Sequence, residues 1–169
     1  MIYLSEDQSR RGDTYLDQKN KKFSPLVVLA GPSSTLWVRN SDDVDHNVYA
    51  DDRSAAVKFD IGLRAPGTQA PVKVTWPQGA IITLRCKIHP KMRAWLVPVS
   101  SQYAQWYFFS PKNRKYLFSL EDWPEKFTWV KVLIPGYEPI SKQVKPGETI
   151  QLDLVRRGRI KGTVTFSRP

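Results

Sequence analysis

The chain is 169 residues long with 41% hydrophobic and 25% charged residues, a balance that belongs to a folded protein and excludes a disordered one. A single cysteine excludes an internal disulfide framework, and no stretch approaches the roughly 20 apolar residues that a membrane-spanning helix requires. A net charge of +10 asks for an acidic partner or an anionic surface.

Met1-Ile2-Tyr3-Leu4 runs straight into Ser5-Glu6-Asp7-Gln8, so no secretory leader is visible. A mature protein with an added initiator Met reads this way, and so does a cytosolic one. From about Phe23 the chain reads as short strands broken by turn residues. Leu26–Leu29 stops at Gly31-Pro32, and Thr35–Arg39 stops at the polar loop from Asn40 to Asp45. Asn47–Ala50 and Val72–Trp76 are further extended pieces, the second ended by Pro77-Gln78-Gly79. Ala80–Cys86 alternates, with Ile82, Leu84 and Cys86 on one face and Ile81, Thr83 and Arg85 on the other. Trp95–Val99 closes this first unit. Beyond Ser100, Gln105–Phe109 and Tyr116–Leu120 are aromatic-rich, and Phe127–Ile134, Thr149–Val155 and Ile160–Phe166 read as strands, with turns at Pro135-Gly136-Tyr137 and Lys145-Pro146-Gly147-Glu148. Many short strands at such spacing predict an all-β fold, a β-sandwich followed by a smaller β-domain.

The basic residues fall in short clusters: Lys19, Lys21 and Lys22; Lys112, Arg114 and Lys115; Arg156, Arg157 and Arg159. No helix or RNA-binding motif aims them at a groove, so they read as solvated surface and nucleic acid is not expected.

The rare residues carry the chemistry. Cys86-Lys87-Ile88-His89-Pro90-Lys91-Met92 sets a thiolate, an imidazole and a thioether within seven residues, and His46 is the one other histidine. Two His nitrogens, a Cys sulfur and a long axial Met bond are the donor set of blue copper. Zinc prefers a tetrahedron of Cys, His or carboxylate and has little use for a thioether, so Met92 argues against it. Taken singly, Cys86 reads as a buried structural thiol and His89 as a surface histidine; the spacing is what joins them.

The Cys-x2-His-x2-Met loop resembles the ligand loop of amicyanin, a cupredoxin. Asn40-Ser41-Asp42 with His46-Asn47-Val48 resembles the first-histidine region of plastocyanins, pseudoazurins and halocyanins. Asp17-Gln18, Phe23-Ser24-Pro25, Asn40–Tyr49, Phe59-Asp60 and the Cys86–Met92 loop together are similar to plastocyanin-like proteins of methylamine-utilisation clusters. The resemblance covers about residues 17–99 and implies a cupredoxin Greek-key β-sandwich there. It further implies a carboxypeptidase-regulatory-like β-domain over 100–169, with residues 1–16 as an N-terminal segment from which Ile2-Tyr3-Leu4 supplies a strand of that second domain.

The resemblance also implies roles. His46 is the buried ligand, Cys86 the short Cu–S donor, His89 the surface ligand and electron port, and Met92 the axial ligand of one type 1 copper. Backbone amides of Asn47 and of a residue after Cys86 are expected to reach the sulfur, and Asn40 to pin the two ligand loops together.

Around this constellation other readings compete. Asp42, Asp43, Asp45, Asp51 and Asp52 lack the spacing and the position-12 Glu of an EF-hand, so a solvated acidic loop is expected, favouring oxidised metal where it comes close. Lys87, Lys91 and Arg93 read either as a rim that steers an acidic redox partner to His89 or as ordinary surface. Arg11-Gly12-Asp13 spells an adhesion tripeptide that recurs by chance. Trp37 and Trp76 fall at strand positions suited to packing.

The function expected is single-electron transfer to an acidic redox partner, a cytochrome or a periplasmic dehydrogenase, in the periplasm or outside the cell. Copper storage, sensing or delivery is the open alternative, since it uses the same ligands. An enzyme is not expected. Nitrite reductases and multicopper oxidases need further histidines, and none is left once the blue site is built.

Overall fold

Ile82, Leu84 and Cys86 are buried on one face, as their alternation predicts, while Arg85 opposite them is exposed. Ile150, Leu152 and Leu154 are buried in the same alternating way between exposed neighbours. The structure, a computed structural model, describes residues 1–52, 56–108, 117–119, 123–124, 126, 129–145, 147–155 and 161–167. Regular structure among them is β-strand throughout, so the all-β expectation is met. In chain order the strands are β1 (Ile2–Leu4), β2 (Thr14–Lys19), β3 (Lys22–Ser24), β4 (Val27–Ala30), β5 (Thr35–Asn40), β6 (His46–Asp52), β7 (Val57–Arg64) and β8 (Gln69–Lys73). They continue with β9 (Ile82–Arg85), β10 (Arg93–Pro98), β11 (Ala104–Gln105), β12 (Leu117–Ser119), β13 (Trp129–Val132), β14 (Ile140–Gln143), β15 (Thr149–Val155) and β16 (Lys161–Ser167). Phe109, Tyr116, Leu120, Phe127, Thr128, Ile160 and the basic clusters at 112–115 and 156–159 lie outside the described residues.

The chain divides into two compact units, residues 9–100 and residues 1–8 with 101–169. The first is a β-sandwich. One sheet runs β4-β10-β9-β6-β7 and the other β3-β2-β5-β8, with β2–β5 and β4–β10 parallel and their other pairings antiparallel. Their inner faces meet in one cluster: Leu16, Leu36, Val38 and Val72 from one sheet against Val28, Val48, Ile82, Leu84 and Leu96 from the other. Cys86 and Met92 belong to this cluster. Leu84 is fully buried there, so Leu84→Ala should cost the unit about 2–5 kcal/mol in urea unfolding, through lost transfer energy and the cavity left behind. A loss under about 1 kcal/mol would mean the position is not packed as described.

The second unit carries two smaller sheets, β11-β1-β13-β14 and β12-β16-β15. Ile2, Tyr3 and Leu4 pair with Val132, Lys131 and Val130, and all three are buried. Ile2, Leu4, Val130, Val132, Ile150, Leu152 and Leu154 form its core.

Four strands, β2, β3, β7 and β14, fall outside the strand-like and aromatic-rich segments read in the sequence, and β11 and β12 overlap segments read there only as aromatic-rich. In β2 only Leu16 and Gln18 are buried, so the strand shows one apolar core residue. β7 does alternate, but its burial fades along the strand: Val57 is buried, Phe59 and Ile61 are half-buried, and Leu63 is exposed. The strand placed at Val72–Trp76 is instead β8, ending at Lys73. Trp76 lies past its end, half-buried against Phe59 at a ring-centroid distance of 5.2 Å. Trp37 is in β5 as expected but only half-buried, and its indole N–H donates to Asp13 Oδ2 at 3.0 Å. Asp13 Oδ1 also accepts the Thr35 N–H at 2.8 Å. These two bonds hold the Asp13 carboxyl below the usual carboxylate range. Asp13, the last residue of the Arg-Gly-Asp string, is thus a brace at the start of β5.

Candidate metal centre

Three structural devices bring the donors together. Antiparallel pairing of β9 with β10 sets Arg85 opposite Arg93, so residues 86–92 form the loop between paired strands. Cys86 stands at one foot of that loop and Met92 at the other, both 2% exposed. Between them His89, Pro90, Lys91 and Met92 make a β-turn, closed by the Met92 N–H on the His89 carbonyl at 2.9 Å, with Pro90 at the position its fixed φ suits. The third device is the loop before β6. Asn40, fully buried at the end of β5, donates to the Val44 and Arg64 carbonyls at 2.9 Å each and accepts the Asp42 N–H at 3.0 Å. The loop so folded delivers His46, also fully buried, at the first position of β6.

These elements converge on one point. The Nδ1 atoms of His46 and His89 are 3.0 Å apart, and Cys86 Sγ is 3.9 Å from the first and 3.8 Å from the second. Hydrogen bonding cannot account for such a triangle, since two imidazole nitrogens and a thiol share no set of protons that satisfies all three contacts. An ion can. With bonds of about 2.0 Å to nitrogen and about 2.3 Å to sulfur, the three separations require donor–ion–donor angles of about 97°, 124° and 130°. These angles add to about 350°, close to the 360° of a plane and well above the roughly 328° of a tetrahedron. The three donors therefore fit an ion close to their plane. Met92 stands at the other foot of the same loop and is buried in the same apolar cluster as Cys86.

Burial is the largest influence on His89, and it pushes the imidazole below its usual pKa, with the His46 and Lys21 charges acting in the same direction and Asp42 opposing. A neutral ring is the form that binds metal. His46 Nε2 lies 2.8 Å from Asp42 Oδ2. The Asp42 carboxyl is held far below the carboxylate range, first by the Lys21 N–H and then by His46. Asp42 is the member of the acidic segment whose carboxylate meets the histidine; Asp43, Asp45 and Asp51 are exposed.

The clasp between the two ligand loops is Asn47, not Asn40. Asn47 Oδ1 accepts the Lys87 N–H at 2.9 Å, and its Nδ2 donates to Asp60 Oδ1 at 2.6 Å. Both carbonyls bonded by Asn40 lie outside the 86–92 loop, so it braces the His46 loop alone. The amide of Lys87 is likewise directed to Asn47 and not to the sulfur. Asp60 also accepts the Gly62 N–H at 2.9 Å, at a residue whose φ of +69° suits glycine, and it pairs with the Lys87 ammonium. Lys87 is therefore charge-compensated. Lys91 and Arg93 stay exposed, as do Ile88 and Pro90, around a half-exposed His89.

No family model matches the chain. Over 73 residues it is 29% identical to the methylamine utilization protein MauL of Methylophilus methylotrophus, a match covering 43% of the chain and 41% of that protein. The chain thus spans under half the length of this curated relative. Among solved structures it is similar to a purple cupredoxin from Nitrosopumilus maritimus, at 16% identity and a TM-score of 0.44, covering 50% of this chain and 98% of that one. It is also similar to amicyanin from Paracoccus versutus, at 14% identity and a TM-score of 0.43, covering 58% and 91%.

Proposed function

We propose that this chain is a type 1 copper protein that carries single electrons between redox partners in the periplasm or outside the cell. One copper is held by His46, Cys86 and His89, with Met92 axial. The observation that carries this reading is the close triangle of two Nδ1 atoms and one Sγ, whose sides of 3.0, 3.8 and 3.9 Å leave room at its centre for one ion.

Bound there, copper supplies a one-electron couple. The residues do the rest. His46 and Cys86, buried on the apolar cluster with Met92, keep water from the ion and fix the donor positions in both oxidation states. His89, half-exposed on the loop, offers the short route for an electron to the surface. Both histidines of the chain are used, which leaves none for a second copper site and supports a carrier over an oxidase or reductase.

Positive charge suits an acidic partner, a cytochrome or a periplasmic dehydrogenase. Likeness to a methylamine utilization protein favours a partner that oxidises amines. Lys91 and Arg93 are the rim residues available to steer it, because Lys87 already faces Asp60. Residues 100–169 are proposed as a carboxypeptidase-regulatory-like β-domain to which Ile2–Leu4 adds a strand.

Voltammetry with a Cu(I) competitor tests the carrier role. Reversible cycling with copper retained against the competitor is expected. Ready loss of Cu(I) to the competitor, with irreversible waves, would replace electron transfer by copper delivery.

A further inference from the structure

Of five aspartates between residues 42 and 52, one is built into the centre. Asp42 Oδ2 lies 2.8 Å from His46 Nε2 and also accepts the Lys21 N–H at 2.7 Å, while Oδ1 accepts the Asp43 N–H at 3.1 Å. The His46 side chain is fully buried and that of Asp42 is 7% exposed, so water screens this contact little. The Lys21 amide is aimed by a separate device. Lys19 pairs with Lys22 across a two-residue turn whose Asn20 and Lys21 both have left-handed φ, 51° and 53°, the I′ turn that joins β2 to β3. A lysine seldom adopts this conformation. Here it places an N–H on the carboxylate.

We infer that Asp42 is a positioning residue of the metal centre: its carboxylate holds the His46 ring with Nδ1 turned to the ion and lowers the copper potential. The inference rests on the copper reading above. An ionised carboxylate only accepts, so the proton of a neutral His46 ring must sit on Nε2, and the Nδ1 lone pair is left bare facing Cys86 and His89. The negative charge behind the ring makes the imidazole a stronger donor and favours the more highly charged ion, Cu(II), over Cu(I).

The test compares three variants by redox titration of the copper protein and by long-range proton–nitrogen NMR of the copper-free protein. Asp42→Asn keeps an acceptor oxygen but removes the charge, so its Cu(II) affinity should fall about tenfold relative to Cu(I), a rise of about 59 mV in potential for one electron. Asp42→Ala removes charge and acceptor, so it should show the same rise and lose the single His46 tautomer. Asp43→Asn, next in sequence and exposed, should leave the potential in place. In the parent protein the copper-free His46 should carry its proton on Nε2. Unchanged potentials in both Asp42 variants, an equal rise in Asp43→Asn, or a parent His46 protonated on Nδ1 would each overturn the inference. Absence of a thiolate–copper band in the parent protein would instead defeat the copper reading, and the NMR result would still decide the role of Asp42.

Discussion

Cys86→Ser leaves a protein that folds and is colourless when copper is added. Intense visible absorption by copper in a protein needs a thiolate that donates charge to the ion, and Cys86 holds the one sulfur of that kind in the chain. A serine hydroxyl fits the space of the thiol at this buried foot of the 86–92 loop, so β9 and β10 should keep their pairing and the far-ultraviolet circular dichroism should not change. Copper affinity should fall by about a hundredfold or more, beyond what loss of an outer partner usually costs. An absorption spectrum and a competition titration read both effects. Colour that survived the substitution would remove Cys86 from the centre.

Asn47→Leu should be the most damaging change outside the donor set. Leucine keeps the branched shape of asparagine but is bulkier and cannot hydrogen-bond, so at this 4% exposed position both bonds of the clasp are lost. The Lys87 amide loses its partner, while Asp60 keeps the Gly62 N–H and the Lys87 ammonium, so the change should cost about 1–3 kcal/mol. Because the bond to Lys87 joins the Cys86 loop to β6, which begins at His46, copper affinity should drop by about 10–100-fold as the donors separate. Urea unfolding of the copper-free protein and copper competition measure the two effects. Lost stability with unchanged affinity would mean that the 86–92 loop keeps its place without the clasp.

The gathering of His46, Cys86 and His89 was legible because the segment that carries it is mostly local. Cys86, His89 and Met92 lie in one loop of seven residues, and with so few cysteines and histidines His46 had little competition. The buried face of β9 was legible for a similar reason: Ile82, Leu84 and Cys86 alternate without interruption. Harder to read were features whose cause lies across the sheet. Val57, Phe59, Ile61 and Leu63 alternate along β7, a pattern that signals a strand but not its neighbours. Residue order does not show that Asp60, on that strand, is the partner of both Asn47 and Lys87. Without that pairing Lys87 reads as a free rim charge, and Asn40 looks as good a clasp as Asn47. The choice of Asp42 among its acidic neighbours depends on how Asn40 folds the loop and on where the β2–β3 turn points its amide, and neither has a signature in residue order. A signal for Asn47 did exist: a polar amide directly after a ligand, with its side chain opposite in sense along β6.

Sulfur and two ring nitrogens gathered about one ion in a plane make a claim that spectroscopy reads directly. Optical and electron paramagnetic resonance spectra of the protein loaded with one equivalent of Cu(II) should show an intense thiolate-to-copper band together with the small copper hyperfine splitting of a covalent Cu–S bond. A pale solution with the wide splitting of a tetragonal copper site would contradict the account.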